Sequence, residues 1–264
     1  MGKTIIFGNL KGGVAKTTST YNVAIQLAQR GYKILMIDSD PQASLTLISG
    51  LEPDDYIGRN LVALLYDESG DLDIHDCIHD IGVFESDGEK GSVSIIPSEI
   101  ELANGDMDFV SRKGNDRLIS RIVNKVIDEY DFICIDCPPS LGVISVNDIA
   151  ASDYIVGCVE PGYQALRGIK FYIKSIINCI RSCDYDTEFL GLAICKVANN
   201  SDCKDVVKAF MEDFDILGIV RTSVEVSRGE VDGLSISQRK PSHIASLEYS
   251  SITDKILEKI NKGA

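Results

Sequence analysis

Eight residues, Lys11 to Thr18 (KGGVAKTT), have the composition of a loop that holds phosphate. Gly12 and Gly13 let the backbone take positive φ and approach an oxyanion closely. Lys16 would set its ammonium beside β- and γ-phosphates, and the Thr17 hydroxyl would sit on Mg²⁺. Thr18 is within reach of an α-phosphate, and Val14 and Ala15 complete the cradle. An apolar run, Thr4 to Phe7, precedes the loop; an apolar-periodic segment through Val23, Leu27 and Ala28 follows it. Strand, turn and helix is the setting such a loop needs, because the free N–H groups and positive dipole end of the helix then face the anion. In the strict pattern G-x-x-x-x-G-K-[ST], Leu10 and Ala15 stand at the two glycine positions. A methyl group at position 15 needs an ordinary helical φ, and costs little if the residue already lies in the first helical turn.

Carboxylates suited to Mg²⁺ and water chemistry follow the same logic. Tyr32 to Ile37 is a short apolar strand that runs into Asp38-Ser39-Asp40-Pro41-Gln42. Asp131 to Asp136 (DFICID) is a second apolar run ending in aspartate, and Pro138 and Pro139 then stop the strand. Lys16, Asp40 and Asp136 are far apart in sequence, yet each falls at the carboxyl end of a strand. In an open α/β sheet that is where ligands bind.

Lys11, a second lysine at the head of the loop, marks the form KGGxGKT[ST], with Ala15 in place of its last glycine. With DSDPQ and FICIDCPP it resembles the ParA/MinD family of dimeric ATPases with a deviant Walker A motif, and in particular the short, Soj-like partition ATPases. The resemblance spans nearly the whole chain. It implies a Mg²⁺-dependent ATPase, slow and partner-stimulated, in which Lys11 reaches phosphates bound by the other subunit. It implies that Asp40 orients or deprotonates the attacking water, that Asp38 acts nearer the magnesium shell, and that Asp136 holds Mg²⁺ through water. It further implies an ATP-bound homodimer, a ParB-like centromere-binding adaptor, nonspecific double-stranded DNA as the matrix, and a cytoplasmic, nucleoid-associated location. Two departures lie late in the chain: Ala198 to Asp202 lacks the family's arginine, and Ile219 to Glu230 is less basic than usual. The candidate DNA contacts are Arg221, Arg228, Arg239 and Lys240, with Lys204 and Lys208 as a second group.

The elements that must position these residues alternate strand and helix. Beyond those named, Val93 to Ile96, Tyr154 to Val159, Phe189 to Cys195 and Ile216 to Val220 read as strands. Asp116 to Tyr130, Tyr163 to Cys183, Asp202 to Phe214 and Ser242 to Lys262 read as helices. Leu61 to Tyr66 reads as a short helix. This predicts a doubly wound, mostly parallel sheet with helices on both faces, in one domain over residues 1–264. Residues 51–92 carry little pattern and read as an acidic surface excursion, with a charged loop at Glu85 to Gly91. Two helical faces are basic: Lys113, Arg117, Arg121 and Lys125 on one, and Arg167, Lys170, Lys174 and Arg181 on the other.

The chain has 264 residues and a formal charge of −14. Residues 39–111 hold 17 acids and two bases, a net −15, which leaves the remainder near +1. Global charge therefore does not exclude a polyanion-binding face elsewhere. Eight scattered cysteines suit a reducing compartment. Cys134/Cys137 and Cys179/Cys183 read as core or incidental thiols, the first pair pointing to opposite faces of its strand. No run reaches the roughly 18 apolar residues of a membrane span, the N-terminus shows no signal segment, and no DNA-binding domain fits ahead of the loop. An alternative from the same resemblance is a MinD-like ATPase that positions cargo on a membrane or protein surface. It would need an amphipathic C-terminal anchor, whereas Asp254 to Ala264 is short, charged and without aromatics. Metal-handling and tyrosine-kinase roles on this scaffold would need an interface cysteine pair or a tyrosine-rich tail, and the sequence has neither.

Overall fold

The computed structural model describes residues 2–86, 88–112, 114–162 and 164–263. Its strands are β1 (Lys3–Gly8), β2 (Lys33–Asp38), β3 (His79–Ser86), β4 (Glu89–Ile96), β5 (Phe132–Asp136), β6 (Tyr154–Val159), β7 (Glu188–Val197) and β8 (Ile216–Arg221). They form one sheet in the order β3-β4-β2-β5-β1-β6-β7-β8. The pairings are parallel except that of β3 with β4. The helices are α1 (Lys16–Ala28), α2 (Ser44–Ile48), α3 (Leu61–Tyr66), α4 (Gly105–Asp108), α5 (Leu118–Val126), α6 (Val143–Ala150), α7 (Ala165–Cys183), α8 (Ser201–Asp213), α9 (Val224–Asp232), α10 (Ile236–Arg239) and α11 (Ile244–Gly263).

Every residue of β5 and β6 is buried. Helices cover both faces of the sheet, so these strands read as unbroken apolar runs rather than alternating ones. The two-residue strand period still sorts side chains by face. Ile5, Phe7, Ile34, Met36, Cys134 and Val156 pack with α1 and α11. Ile6, Leu35, Ile37, Ile133, Ile135 and Ile155 pack with α3, α5, α6, α7 and α8. Cys134 and Cys137 fall in opposite layers, as the strand period requires, and both are free thiols.

Register positions the site. Asp38 of β2 lies opposite Asp136 of β5, and Asp136 lies opposite Phe7 of β1. Both aspartates share the strand parity of Met36 and Cys134, so both face the α1 layer. The loop after β1 therefore opens beside two carboxylates.

Residues 51–92 are more than a surface excursion. They contain α3, the edge strand β3 and the start of β4, and β3 and β4 form an antiparallel hairpin. The expected loop at Glu85 to Gly91 is mostly ladder, with Glu85 opposite Lys90 and Ser86 opposite Glu89. Polar residues fit there because an edge hairpin keeps one side in water. The helix expected over Asp116 to Tyr130 is regular only from Leu118 to Val126, burying Ile119, Ile122, Val123 and Val126. Lys113 and Tyr163, placed in helical patterns above, lie outside the described residues. Helices α2, α4, α9 and α10 were not anticipated; each has nine residues or fewer.

Candidate nucleotide site

The loop between β1 and α1 is held from below. Asn9 is buried; its side-chain amide donates to the Cys158 carbonyl at 2.6 Å, and its oxygen accepts from the Lys11 N–H at 3.1 Å. Gly13 has φ 73°, which only glycine adopts freely. Ala15 also lies in the left-handed region, at φ 69° and ψ 34°. The condition for a low cost, an ordinary helical φ inside the first turn, is therefore not met. Ala15 caps α1 from outside its first turn, and its methyl group crowds the backbone there at a cost of about 1–2 kcal/mol. Helix α1 itself is almost wholly buried. Its polar residues are satisfied inside: Thr20 donates to the Lys16 carbonyl at 3.1 Å, and Asn22 donates to the Thr18 carbonyl at 2.8 Å. Asn22 also accepts from the Ile236 N–H at 2.9 Å, tying α1 to α10.

The loop side chains separate by role. Lys16 is only 6 % exposed. The Thr17 hydroxyl donates to Asp136 Oδ2 at 2.5 Å. Gly12 and Gly13 are exposed, and a Cβ at either would meet nothing within 4 Å. Lys11 is exposed and does not line the cleft into which the loop opens. That cleft, about 740 Å³, is bounded by Lys16, Thr17, Asp40, Lys196, Val226 and Glu230 among others. Its size suits a nucleotide.

Two buried carboxylates and a half-buried one stand behind the loop. Asp38 accepts from the Thr46 N–H and hydroxyl, both at 2.8 Å, and from the Asp40 N–H at 3.2 Å. Burial pushes its pKa up to about 7 against those hydrogen bonds. Asp38 thus acts on the site by fixing the backbone of Asp40. Burial raises Asp136 well above the carboxylate range; nearby Asp38 adds to this, while Thr17 and Lys16 oppose it. Asp136 Oδ1 is buried with no hydrogen-bond partner. Asp40 is half-buried, lines the cleft, and accepts from the Gln42 N–H at 2.9 Å.

Sequence reasoning missed three residues. Asp148 of α6 is fully buried, accepts from the Ser39 hydroxyl at 2.8 Å, and is raised to about 7 by burial. Its only signal was an aspartate inside an apolar helical segment. Lys196, at φ 56°, reaches across the cleft and donates to the Gly13 carbonyl at 2.7 Å. Glu230 of α9 accepts the Thr18 hydroxyl, so that hydroxyl faces α9. Neither of these two belongs to a recognisable motif.

The candidate DNA-contacting cations are not brought together as a free patch. Arg221 pairs with Glu248 at 2.9 Å. Glu225 collects Arg228 at 3.0 Å, Arg239 at 3.4 Å and Lys240 at 3.0 Å, and Arg239 also meets Asp232. Lys208 sits 3.6 Å from Asp205.

The residues present fit Mg²⁺. Thr17 and Asp136 offer hard oxygen ligands at one point, and Asp136 Oδ1 lacks a partner that a cation's shell would supply. Among the described residues no cluster of three or more His, Cys, Asp or Glu forms a cage. Mg²⁺ bound through one or two protein ligands plus phosphate oxygens needs none. A glycine-bearing loop that opens a helix after β1, and whose threonine bonds an aspartate of the neighbouring strand, defines a P-loop nucleoside triphosphate-binding protein. The family model AAA_31, described as an AAA domain, matches residues 2–189. The chain is 30% identical over 270 residues to the virulence plasmid ParA family protein pGP5-D of Chlamydia psittaci, covering 98% of this chain and 95% of that one. A putative plasmid partition protein of Borrelia burgdorferi, solved with AMPPNP, superposes with a TM-score of 0.81 at 24% identity, covering 98% of this chain and 100% of that one. Cobyrinic acid a,c-diamide synthase of Mycobacterium smegmatis, solved with an ATP analogue and magnesium, gives 0.79 at 22% identity, covering 100% and 97%. The chain belongs to the ParA/MinD family of P-loop ATPases.

Proposed function

We propose that this protein is a Mg²⁺-dependent ATPase that dimerises on ATP and uses hydrolysis as a release step to position or segregate DNA cargo. The observation that carries the reading is the Thr17–Asp136 hydrogen bond at the mouth of a loop whose first lysine, Lys11, is exposed and does not line its own cleft. Lys16 holds the β- and γ-phosphates from within the protomer, and the N–H groups from Gly13 to Thr18 cradle them. Bound at Thr17 and Asp136, Mg²⁺ would neutralise charge on the phosphate oxygens. Asp40, held in place by Asp38, orients the attacking water and accepts its proton. Lys11 neutralises phosphate charge across the interface, and the bare surface at Gly12 leaves room for a second backbone. ATP binding then favours the dimer and hydrolysis releases it. A ParB-like adaptor on the cargo stimulates turnover, and DNA is the matrix on which the dimer is held.

A second reading puts the dimer on a membrane or protein surface. The pairing of Arg221, Arg228, Arg239 and Lys240 with carboxylates favours it. Against a membrane anchor, Ile252, Ile256 and Ile260 of α11 are buried in the core, which leaves the helix no free apolar face of this set.

The test is sedimentation of Asp40→Ala with ATP and Mg²⁺. A dimer that retains ATP, with turnover reduced at least about 100-fold, is expected. A monomer under these conditions sinks the ATP-dependent dimer, and wild-type turnover removes Asp40 from its role. Lys11→Ala should bind ATP as a monomer.

A further inference from the structure

We infer that the outer face of α7 is the surface that grips the sugar–phosphate backbone of double-stranded DNA. This rests on the DNA-matrix reading above. Within its 19 residues α7 carries Arg167, Lys170, Lys174 and Arg181 and no carboxylate. Steps of three, four and seven residues put these cations within about 60° of one another around a helix of 100° per residue. All four are exposed, as is Asn178 on the same line. The opposite side holds the helix in place through buried Ile169, Tyr172 and Ile176. The row is therefore straight and rigid, and about 21 Å long at 1.5 Å per residue. That length matches roughly six base pairs of duplex rise.

Charge pairing separates this face from the other basic surfaces. On the α7 row only Lys170 has an acidic partner among the described residues, Asp213 at 2.8 Å. By contrast, Arg221, Arg228, Arg239 and Lys240 are each held by a carboxylate. On the α5 side, Arg112 is paired with Glu68 at 3.0 Å and Arg117 lies 3.8 Å from Asp116, while Arg121 and Lys125, without an ion pair among the described residues, line a groove shared with the acids Asp67 and Glu68. In a chain of net charge −14, an acid-free row with three unpaired cations is the surface best matched to a polyanion.

The form of the face selects nucleic acid over an acidic protein. Phe171 stands 61 % exposed beside the row, and one open groove of about 430 Å³ runs between α7 and α8, lined by Lys170, Lys174, Asn178 and Arg181 together with Ile173, Ile177 and Phe214. A docked peptide would need several pockets for alternate side chains, and this face offers one, edged by cations. Evenly charged backbone needs only spaced cations, and such contacts carry no base information. Binding is therefore indifferent to sequence, and dimerisation doubles the row.

The experiment uses the full chain loaded with a non-hydrolysable ATP analogue and Mg²⁺, and a fluorescent random-sequence duplex titrated at several salt concentrations. The variants are Arg167→Gln/Lys174→Gln/Arg181→Gln and Arg221→Gln/Arg228→Gln. The triple variant should lose at least about tenfold in affinity, with a salt slope smaller by about 2.7 per engaged protomer, since each phosphate contact contributes about 0.9. Its melting temperature and DNA-free ATP hydrolysis should match wild type, and the double variant should stay within about threefold of wild-type affinity. Wild-type affinity and salt slope in the triple variant would overturn the α7 assignment while leaving the DNA matrix standing. Absence of wild-type binding even at low salt would overturn the DNA matrix and this assignment with it. Capture of a poly-glutamate peptide but not of duplex, lost in the triple variant, would replace DNA by an acidic protein partner.

Discussion

Lys196 and Gly13, 183 positions apart, are joined by a 2.7 Å hydrogen bond from the lysine ammonium to the glycine carbonyl. The bond closes the cleft from the β7 side and holds the loop in the shape that presents its N–H groups. Lys196 takes a left-handed φ of 56° where β7 loses register with β8. Lys196→Ala should weaken ATP binding by about three- to tenfold, the range of a solvent-accessible charged hydrogen bond, and leave single-turnover hydrolysis of bound ATP near wild type. Calorimetric titration measures it, and an unchanged dissociation constant would show that the lysine does not organise the loop.

Ala15→Gly should stabilise the protein. The left-handed backbone at Ala15 crowds its methyl group, and glycine removes that crowding. A gain of about 1 kcal/mol, or roughly 2–4 °C in melting temperature for a chain of this size, is expected. ATP affinity should hold or improve. A lower melting temperature would mean that the methyl group's packing outweighs its strain.

Asp136→Asn tests the metal site. The amide keeps the volume but loses the charge that a cation needs, and it disturbs the acceptor used by Thr17. Nucleotide affinity in Mg²⁺ should fall at least about tenfold, whereas affinity in EDTA should change little. Equal losses in both conditions would make Asp136 a structural residue only.

Asp148 supplies a pH dependence. Its folded-state pKa, about 7, lies above the unfolded value, so the folded protein holds that proton more tightly. The contribution is full below about pH 4 and is lost as pH rises through 7. Asp148→Asn, which can still accept from Ser39, should therefore stabilise the protein more at pH 8 than at pH 5, the difference being about 1–3 kcal/mol. Denaturant unfolding at the two pH values is the measurement. A variant equally destabilised at both would assign Asp148 to packing alone.

The parts of the site legible in the sequence were those with local signals. KGGVAKTT, DSDPQ and FICIDCPP each end an apolar strand, and the register places them together without help from long-range side-chain contacts. What escaped depends on partners distant in sequence. Lys196 and Glu230 matter only because of Gly13 and Thr18. Glu225 neutralises Arg239 and Lys240 from 14 and 15 residues away, so a count of cations along the chain overstates the free charge. The φ of Ala15 was not legible because a missing glycine invites a helical assignment, while the loop's need to aim its N–H groups inward overrides the residue's preference. The hairpin of β3 and β4 escaped because an edge hairpin with a wet side lacks the apolar runs that marked the other strands.

That hairpin also limits how copies of this chain can meet at one edge of the sheet. Strand β3 ends the sheet and would offer a row of unsatisfied amides to any neighbouring chain. It carries Asp80 and Glu85, its register slips between Asp80 and Gly82, and it belongs to the segment with the chain's greatest excess of acid. Two such edges repel each other and fit poorly, so end-to-end growth of the sheet into filaments is disfavoured. The negative charge that looked hostile to DNA thus makes this sheet edge a poor place for self-association.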